Sequence, residues 1–190
     1  MSAANQLPAA MTAAEFLAWD PPDFSDRWEL IDGTPRAMAP AAPPHGFIQA
    51  EAARLIGNHL AEQRPQCRVA TEPGLQPKVR GKSNVRVPDL AVTCTSLEPG
   101  DRLLREPVVV IEILSPSNKA ETWQNVWSYV TIPSVREIFV VYTAEVRIDL
   151  LRREPNGAWP DDPLALTSGD NVTLESIGFT APIAAFYRTA

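Results

Sequence analysis

Glycine, histidine, lysine and cysteine are all in short supply in this chain, and each shortage removes a class of chemistry. Nine glycines among 190 residues build no phosphate-cradling loop, and no Gly-x-Ser-x-Gly elbow presents a nucleophilic serine. His45 and His59 are the only histidines, and no cysteine pair complements them, so a zinc site built on imidazole is poorly supported. Cys67 and Cys94 are too few for a disulfide framework and read as two small buried residues in a reducing compartment. Lysine occurs only at Lys78, Lys82 and Lys119. The net charge of -6 and pI near 5.0 argue against a non-specific nucleic-acid coat, and less against an enzyme with a local basic groove. No apolar run approaches the ~20 residues of a membrane span. The first residues lack the basic-then-apolar pattern of a secretory signal. A cytoplasmic protein without membrane contact is the expectation.

What is present suits one globular domain. The hydrophobic fraction of 45% and charged fraction of 21% are ordinary, and the 19 prolines are scattered as loop markers between periodic segments. We expect a flexible lead-in over 1–11 and a single domain over 12–190. Thr12-Ala13-Ala14-Glu15 spells a capping box opening a short helix that carries Phe16, Leu17 and Trp19, which Asp20-Pro21-Pro22-Asp23 ends. Two short strands, 27–32 and 36–39, flank Gly33. A long helix over 45–63 spaces Phe47, Ile48, Ala52, Leu55, Ile56 and Leu60 for one buried face. Strands are expected at 67–71, 75–80, 85–92, 108–114, 138–142 and 146–151, with a helix over 121–130. The strand 146–151 alternates as a half-exposed antiparallel strand should. Short peripheral antiparallel strands and a helical turn near 183–186 complete the chain. The fold class is α/β (α+β), a mixed central sheet flanked by helices. The strand–helix–strand unit over 108–142 implies a parallel pair with a right-handed crossover.

Two carboxylates stand out against this frame. Asp89 and Glu112 each lie inside a β-branched run, on opposite sides of one polar loop. The run around Glu112 has no polar alternation, so it reads as a central strand covered on both faces. A carboxylate there must be neutralised, paired or bound to a metal, because an uncompensated buried charge costs several kcal/mol. If the two strands are neighbours, both acids converge on a hard cation, for which Mg²⁺ is suited.

Val87-Pro88-Asp89-Leu90-Ala91-Val92, followed by Val109-Val110-Ile111-Glu112-Ile113-Leu114-Ser115-Pro116-Ser117, resembles the core of the PD-(D/E)XK nuclease superfamily. The closer resemblance is to the Uma-type family of restriction-endonuclease-like proteins. It takes in Trp28-Glu29-Leu30-Ile31-Asp32-Gly33, the helix ending at Tyr129 and Pro133-Ser134-Val135-Arg136-Glu137, and so covers the chain from about Thr12 to Tyr142. It implies a restriction-endonuclease-like fold and an endonuclease hydrolysing DNA with Mg²⁺ or Mn²⁺. Asp89 and Glu112 would be the metal-binding catalytic acids and Glu29 an additional acidic member. His45 would line a substrate cleft.

The chain departs from the family pattern at its basic residue. The superfamily lysine, two residues after the second acid, is replaced by Leu114. The position on the following helix that often carries a lysine in Uma-type proteins is Asn125. An amide can orient a water but supplies no positive charge. Lys119 and Lys78 are the substitutes at hand, and Lys78 and Arg80 would face the substrate. Arg64, Arg68, Lys78, Arg80, Lys82 and Arg86 make the middle of the chain locally basic. Trp123, Val126, Trp127 and Val130 form an apolar stripe that sets Glu121 and Asn125 on the other face of their helix. If the stripe packs on the chain's own sheet, Asn125 points away from the acids; if it meets a second subunit in a homodimer, Asn125 faces them. Three readings remain: a metal-dependent nuclease, a binding module on the same fold that has lost turnover, and an interaction protein.

Overall fold

The computed structural model describes residues 10–21 and 27–190. Most of the expected lead-in, and the Pro22-Asp23 half of the first helix stop, lie outside those residues. Thr12 caps α1 (Ala13–Ala18): the Glu15 amide donates to the Thr12 hydroxyl, and the Thr12 backbone amide donates to the Glu15 carboxylate. β1 (Arg27–Ile31) and β2 (Thr34–Met38) form a hairpin on Asp32 and Gly33, both at positive φ, as a two-residue hairpin turn demands. Its register pairs Glu29 with Arg36 and Arg27 with Met38. Pro43 and Pro44 start α2 (Pro43–Gln63), where a missing amide hydrogen costs nothing.

Six strands then form the main sheet in chain order: β3 (Arg68–Thr71), β4 (Leu90–Thr93), β5 (Pro107–Leu114), β6 (Glu137–Tyr142), β7 (Arg147–Arg152) and β8 (Leu164–Thr167). Every neighbouring pair is antiparallel except β5 with β6, which are parallel and joined through α3 (Lys119–Tyr129). The expected mixed sheet flanked by helices is therefore the architecture found. The two-residue period sorts the core. Val109, Ile111 and Ile113 point to α2, where Ile48, Ala52, Ile56 and Leu60 meet them. Val110 and Leu114 point to α3, with Val126 and Tyr129. A second hairpin, β9 (Asn171–Leu174) and β10 (Phe179–Pro182), and a 3-10 turn over Ile183–Tyr187 close the α2 side with Val172, Leu174, Phe179 and Phe186.

Several expectations are corrected. Phe47 is 49% exposed, because the fully buried row is Ile48–Ala52–Ile56–Leu60, with Leu55 packed beside it, and Phe47 sits off that face. No strand spans 75–80: Leu75 makes only an isolated bridge to Arg86, Pro77 lacks a donor, and Arg80 turns the chain at positive φ. β4 starts at Leu90, so Asp89 stands just before the strand rather than inside it. β7 is not half-exposed. Its residues Ile148, Asp149, Leu150 and Leu151 are all buried, and β8 covers its outer side, so it offers no edge to a second subunit. Continuing the β3–β4 register one step past Arg68 and Thr93 sets Cys67 against Cys94, and a disulfide joins them. The reading of two separate buried thiols is overturned, and Cys94 is exposed.

Glu137, at the start of β6, ties the C-terminal hairpin to the sheet. Its carboxylate accepts from the amides of Glu175 and Ser176 and from the Ser176 hydroxyl, and pairs with Arg152 at 2.9 Å. Removing one partner of such a buried network leaves the others unsatisfied, at about 3–5 kcal/mol. Glu137→Ala is expected to lower the urea unfolding free energy by about that amount. A change below about 1 kcal/mol would show the hairpin to be held by its apolar contacts alone.

Candidate active site

A cavity of about 400 Å³ opens between the β1–β2 hairpin, the start of α2 and the start of α3. Its acidic side is built by the sheet. Extending the Leu90–Ile111 register of β4 and β5 by one residue sets Asp89 opposite Glu112, both on the α3 face. Because β4 has not yet begun at Asp89, its side chain takes the place of a ladder acceptor: the Ile113 amide donates to Oδ2 at 2.6 Å. The Asp89 carbonyl is fixed in turn by the Glu72 amide at 3.0 Å and the Gln49 side-chain amide at 3.1 Å. The other carboxylate oxygen of Asp89 lies 3.2 Å from Nε2 of His45, one turn into α2.

Glu112 is the most constrained acid in the cavity. Burial pushes its carboxyl well above the ordinary range, and the negative charges of Asp89 and Glu29 push the same way. The Tyr129 hydroxyl, which donates to Oε1 at 2.8 Å, acts against them. Burial and the neighbouring Glu112 together raise the Tyr129 phenol well above its usual value, so it stays a donor. Glu29 enters from the hairpin, also buried. Its nearest cation is Arg86 at 3.7 Å, and desolvation outweighs that partner, so its carboxyl is raised as well.

The α3 face differs from the apolar stripe expected for it. Thr122, Asn125, Val126 and Tyr129 turn inward and Trp123 and Val130 pack beside them, while Trp127 is 45% exposed, its ring tilted against that of Trp123. Asn125 therefore lines the cavity from this chain's own helix, with no second subunit required. Its Oδ1 is buried without a hydrogen-bond partner among the described residues, as are Oε2 of Glu29 and Nδ1 of His45.

Five of the sequence-derived candidates thus come together around one cavity: Asp89, Glu112, Glu29, His45 and Asn125. Three do not. Lys119 is exposed at the first residue of α3 and does not line the cavity. Lys78 borders a separate hollow with Leu75, Leu104 and Ile132. Arg80 is spent on Asp32, at 2.5 Å across the hairpin turn. The basic stretch of the middle chain does not gather on this site either, since Arg86 points inward to Glu29. Sequence reasoning missed Tyr129 and Arg36. Tyr129 was detectable as the i+4 neighbour of Asn125. Arg36 follows from counting outward from the Asp32-Gly33 turn, which sets it opposite Glu29.

Comparison with known proteins places the chain in a family. Residues 13–184 match the model of the Uma2 family, described as "Putative restriction endonuclease". The chain belongs to the Uma2 family. An uncharacterized protein of Synechocystis sp. is 27% identical over 183 residues, spanning 94% of this chain and 92% of that relative. The crystal structure of a "putative nuclease belonging to DUF820" from Anabaena variabilis ATCC 29413 has a TM-score of 0.74 and 19% identity, covering 93% of this chain and 97% of its own. At that identity the likeness shows the fold alone.

The raised Glu112 carboxyl has a consequence for stability. A glutamate whose folded pKa lies above its ordinary 4.5 makes the folded state bind the proton more tightly than the unfolded chain. Its contribution therefore favours folding least once pH has risen past that ordinary value toward the folded one. Glu112→Gln removes the titration. In buffer without divalent cations the variant is expected to gain stability over the wild type as pH rises from 4 to 8, read from urea midpoints. A pH-independent difference would contradict the burial-driven shift.

Proposed function

We propose that this Uma2 protein is a divalent-metal-dependent endonuclease acting on DNA, with Asp89 and Glu112 as the metal-holding acids. The observation that carries this reading is the placement of two carboxylates side by side on the floor of a cavity, one of them buried. Like charges held in a low-dielectric site are costly, and a cation between them offsets that cost. The donor set is all oxygen and hard, as Mg²⁺ and Mn²⁺ prefer, and the unpartnered Oδ1 of Asn125 offers one more oxygen in the same cavity. Among the described residues no three His, Cys, Asp or Glu side chains close into a cage. Mg²⁺ needs none, since it takes one or two carboxylates and keeps several waters.

A divalent ion in such a site supplies Lewis-acid chemistry, activating water and offsetting charge on a phosphate. The chain's own residues set the stage for it. The Ile113 amide fixes Asp89, and Tyr129 orients Glu112 by holding one of its oxygens. Such orienting partners typically contribute about 10–100-fold in metal affinity or activity. Asn125 orients a water over the acids. His45 limits the freedom of Asp89. The setting that goes with a DNA substrate is the cytoplasm, where reductants oppose the Cys67–Cys94 bridge. No helix among the described residues is long and apolar enough to cross a membrane.

One observation favours a second reading. Among the described residues lining the cavity there is no lysine. A binding module on the same fold, without turnover, follows if that charge is indispensable. Plasmid cleavage in Mg²⁺ or Mn²⁺, with Asp89→Asn and Asn125→Lys beside the wild type, separates the two. The nuclease reading expects wild-type cleavage, lost by a factor on the order of 10³ in Asp89→Asn, as for removal of a group that stabilises developing charge. The binding-module reading expects an inert wild type that shifts DNA in a gel and gains cleavage in Asn125→Lys. No cleavage and no shift by any of the three would sink both.

A further inference from the structure

The cavity has a second wall whose charge no catalytic pattern assigns. The two-residue period of the β1–β2 hairpin turns Arg27, Glu29, Arg36 and Met38 to the cavity, while Leu30 turns the other way to meet Ala13 and Val85. Two arginines therefore line this wall, and a third, Arg86, reaches it from below. Their commitments differ. Arg27 pairs with Glu72, and Arg86 pairs with Glu29. Arg36 is exposed and has no ion pair or hydrogen bond among the described residues, although Glu29 stands directly opposite it in the ladder. Directly opposite charges in an antiparallel pair usually engage. Here Glu29 lies closer to Arg86, and Arg36 acts on it only through its charge, with no ion pair or hydrogen bond among the described residues holding its guanidinium. The segment that follows, 37–42, is Ala-Met-Ala-Pro-Ala-Ala, so no other charge on that rim competes with it.

An acidic floor repels a phosphodiester, and among the described residues Arg36 is the one arginine lining the cavity that makes no ion pair. A guanidinium offers a planar pair of donors that matches two phosphate oxygens, which a lysine cannot do. We infer that Arg36 is the phosphate-binding, substrate-positioning residue of this site, holding the DNA backbone from the hairpin while the acids face it from the sheet. The hydrolytic part of this assignment rests on the nuclease reading; the phosphate contact itself does not. It also locates positive charge in a cavity where Leu114 and Asn125 occupy the lysine positions. Because the contact is made in bound substrate and transition state alike, its loss falls on KM rather than kcat.

The test is the salt dependence of binding to a fluorescein-labelled DNA duplex, for the wild type, Arg36→Gln, Arg36→Lys and Lys82→Gln, with cleavage kinetics alongside. Lys82 is exposed and outside the cavity, so it controls for loss of charge in general. One phosphate contact contributes about 0.9 to the slope of log K against log salt. Arg36→Gln is expected to flatten the slope by about that amount, to weaken binding several-fold on any sequence, and to raise KM with kcat little changed. Arg36→Lys keeps the slope, and Lys82→Gln matches the wild type. An unchanged slope in Arg36→Gln, or an equal loss in Lys82→Gln, overturns the assignment whether or not the protein cuts DNA. An Arg36-dependent slope with no cleavage upholds it and sinks the nuclease reading instead. A wild type that does not bind DNA overturns both.

Discussion

Two carboxylates set side by side, one of them largely buried, are the constraint around which the rest of this molecule is arranged. The sheet creates the problem: β5 is buried on both faces, and the β4–β5 register carries Asp89 to the place opposite Glu112. The surroundings then manage it without removing it. An amide of β5 fixes one acid, a tyrosine of α3 holds the other, and a histidine of α2 closes on Asp89. Each of the three layers gives one group to the pair. A stable core needs none of this, since apolar residues at both positions would cost less. Unrelieved electrostatic cost at the bottom of a cavity is a mark of a site kept for chemistry.

The sheet and its connections were largely legible because they follow from period and run length. The unbroken apolar run of β5, the apolar run of β6 and the helix between them specify a parallel pair, and that pair is present. Glu112 was legible for the same reason, as a charge in a strand with no exposed face, and Asp89 as a carboxylate beside an apolar run. Failures came where hydrophobicity was the wrong guide to direction. On α3 the tryptophans drew the expected apolar face, yet Trp127 lies outside, and the inward row includes Thr122 and Asn125 because it borders a polar cavity. β7 looked half-exposed because Arg147 and Asp149 alternate with apolar residues. Asp149 is in fact buried, satisfied by Arg147 and the Tyr142 hydroxyl. The Cys67–Cys94 bridge depends on a cross-strand register that two isolated cysteines do not reveal.

Charge around the cavity is divided by secondary structure. The sheet and α3 contribute acids and an amide, and the hairpin contributes two arginines beside a single acid, Glu29, because alternation along β1 and β2 places every second side chain on the cavity side. This division explains how a chain of net charge -6 can offer a local surface for a polyanion, and why the basic stretch at 64–86 does not supply it. Those side chains are dispersed over turns and ion pairs. The useful cation is an arginine whose ladder partner, Glu29, lies closer to Arg86.

Everything in this account turns on a cation residing between the two acids. The most direct measurement is anomalous diffraction from crystals of the protein soaked in Mn²⁺. The account predicts a peak between the carboxylates of Asp89 and Glu112, within bonding distance of an oxygen from each. Well-ordered side chains at full Mn²⁺ exposure with no peak at that position would contradict it.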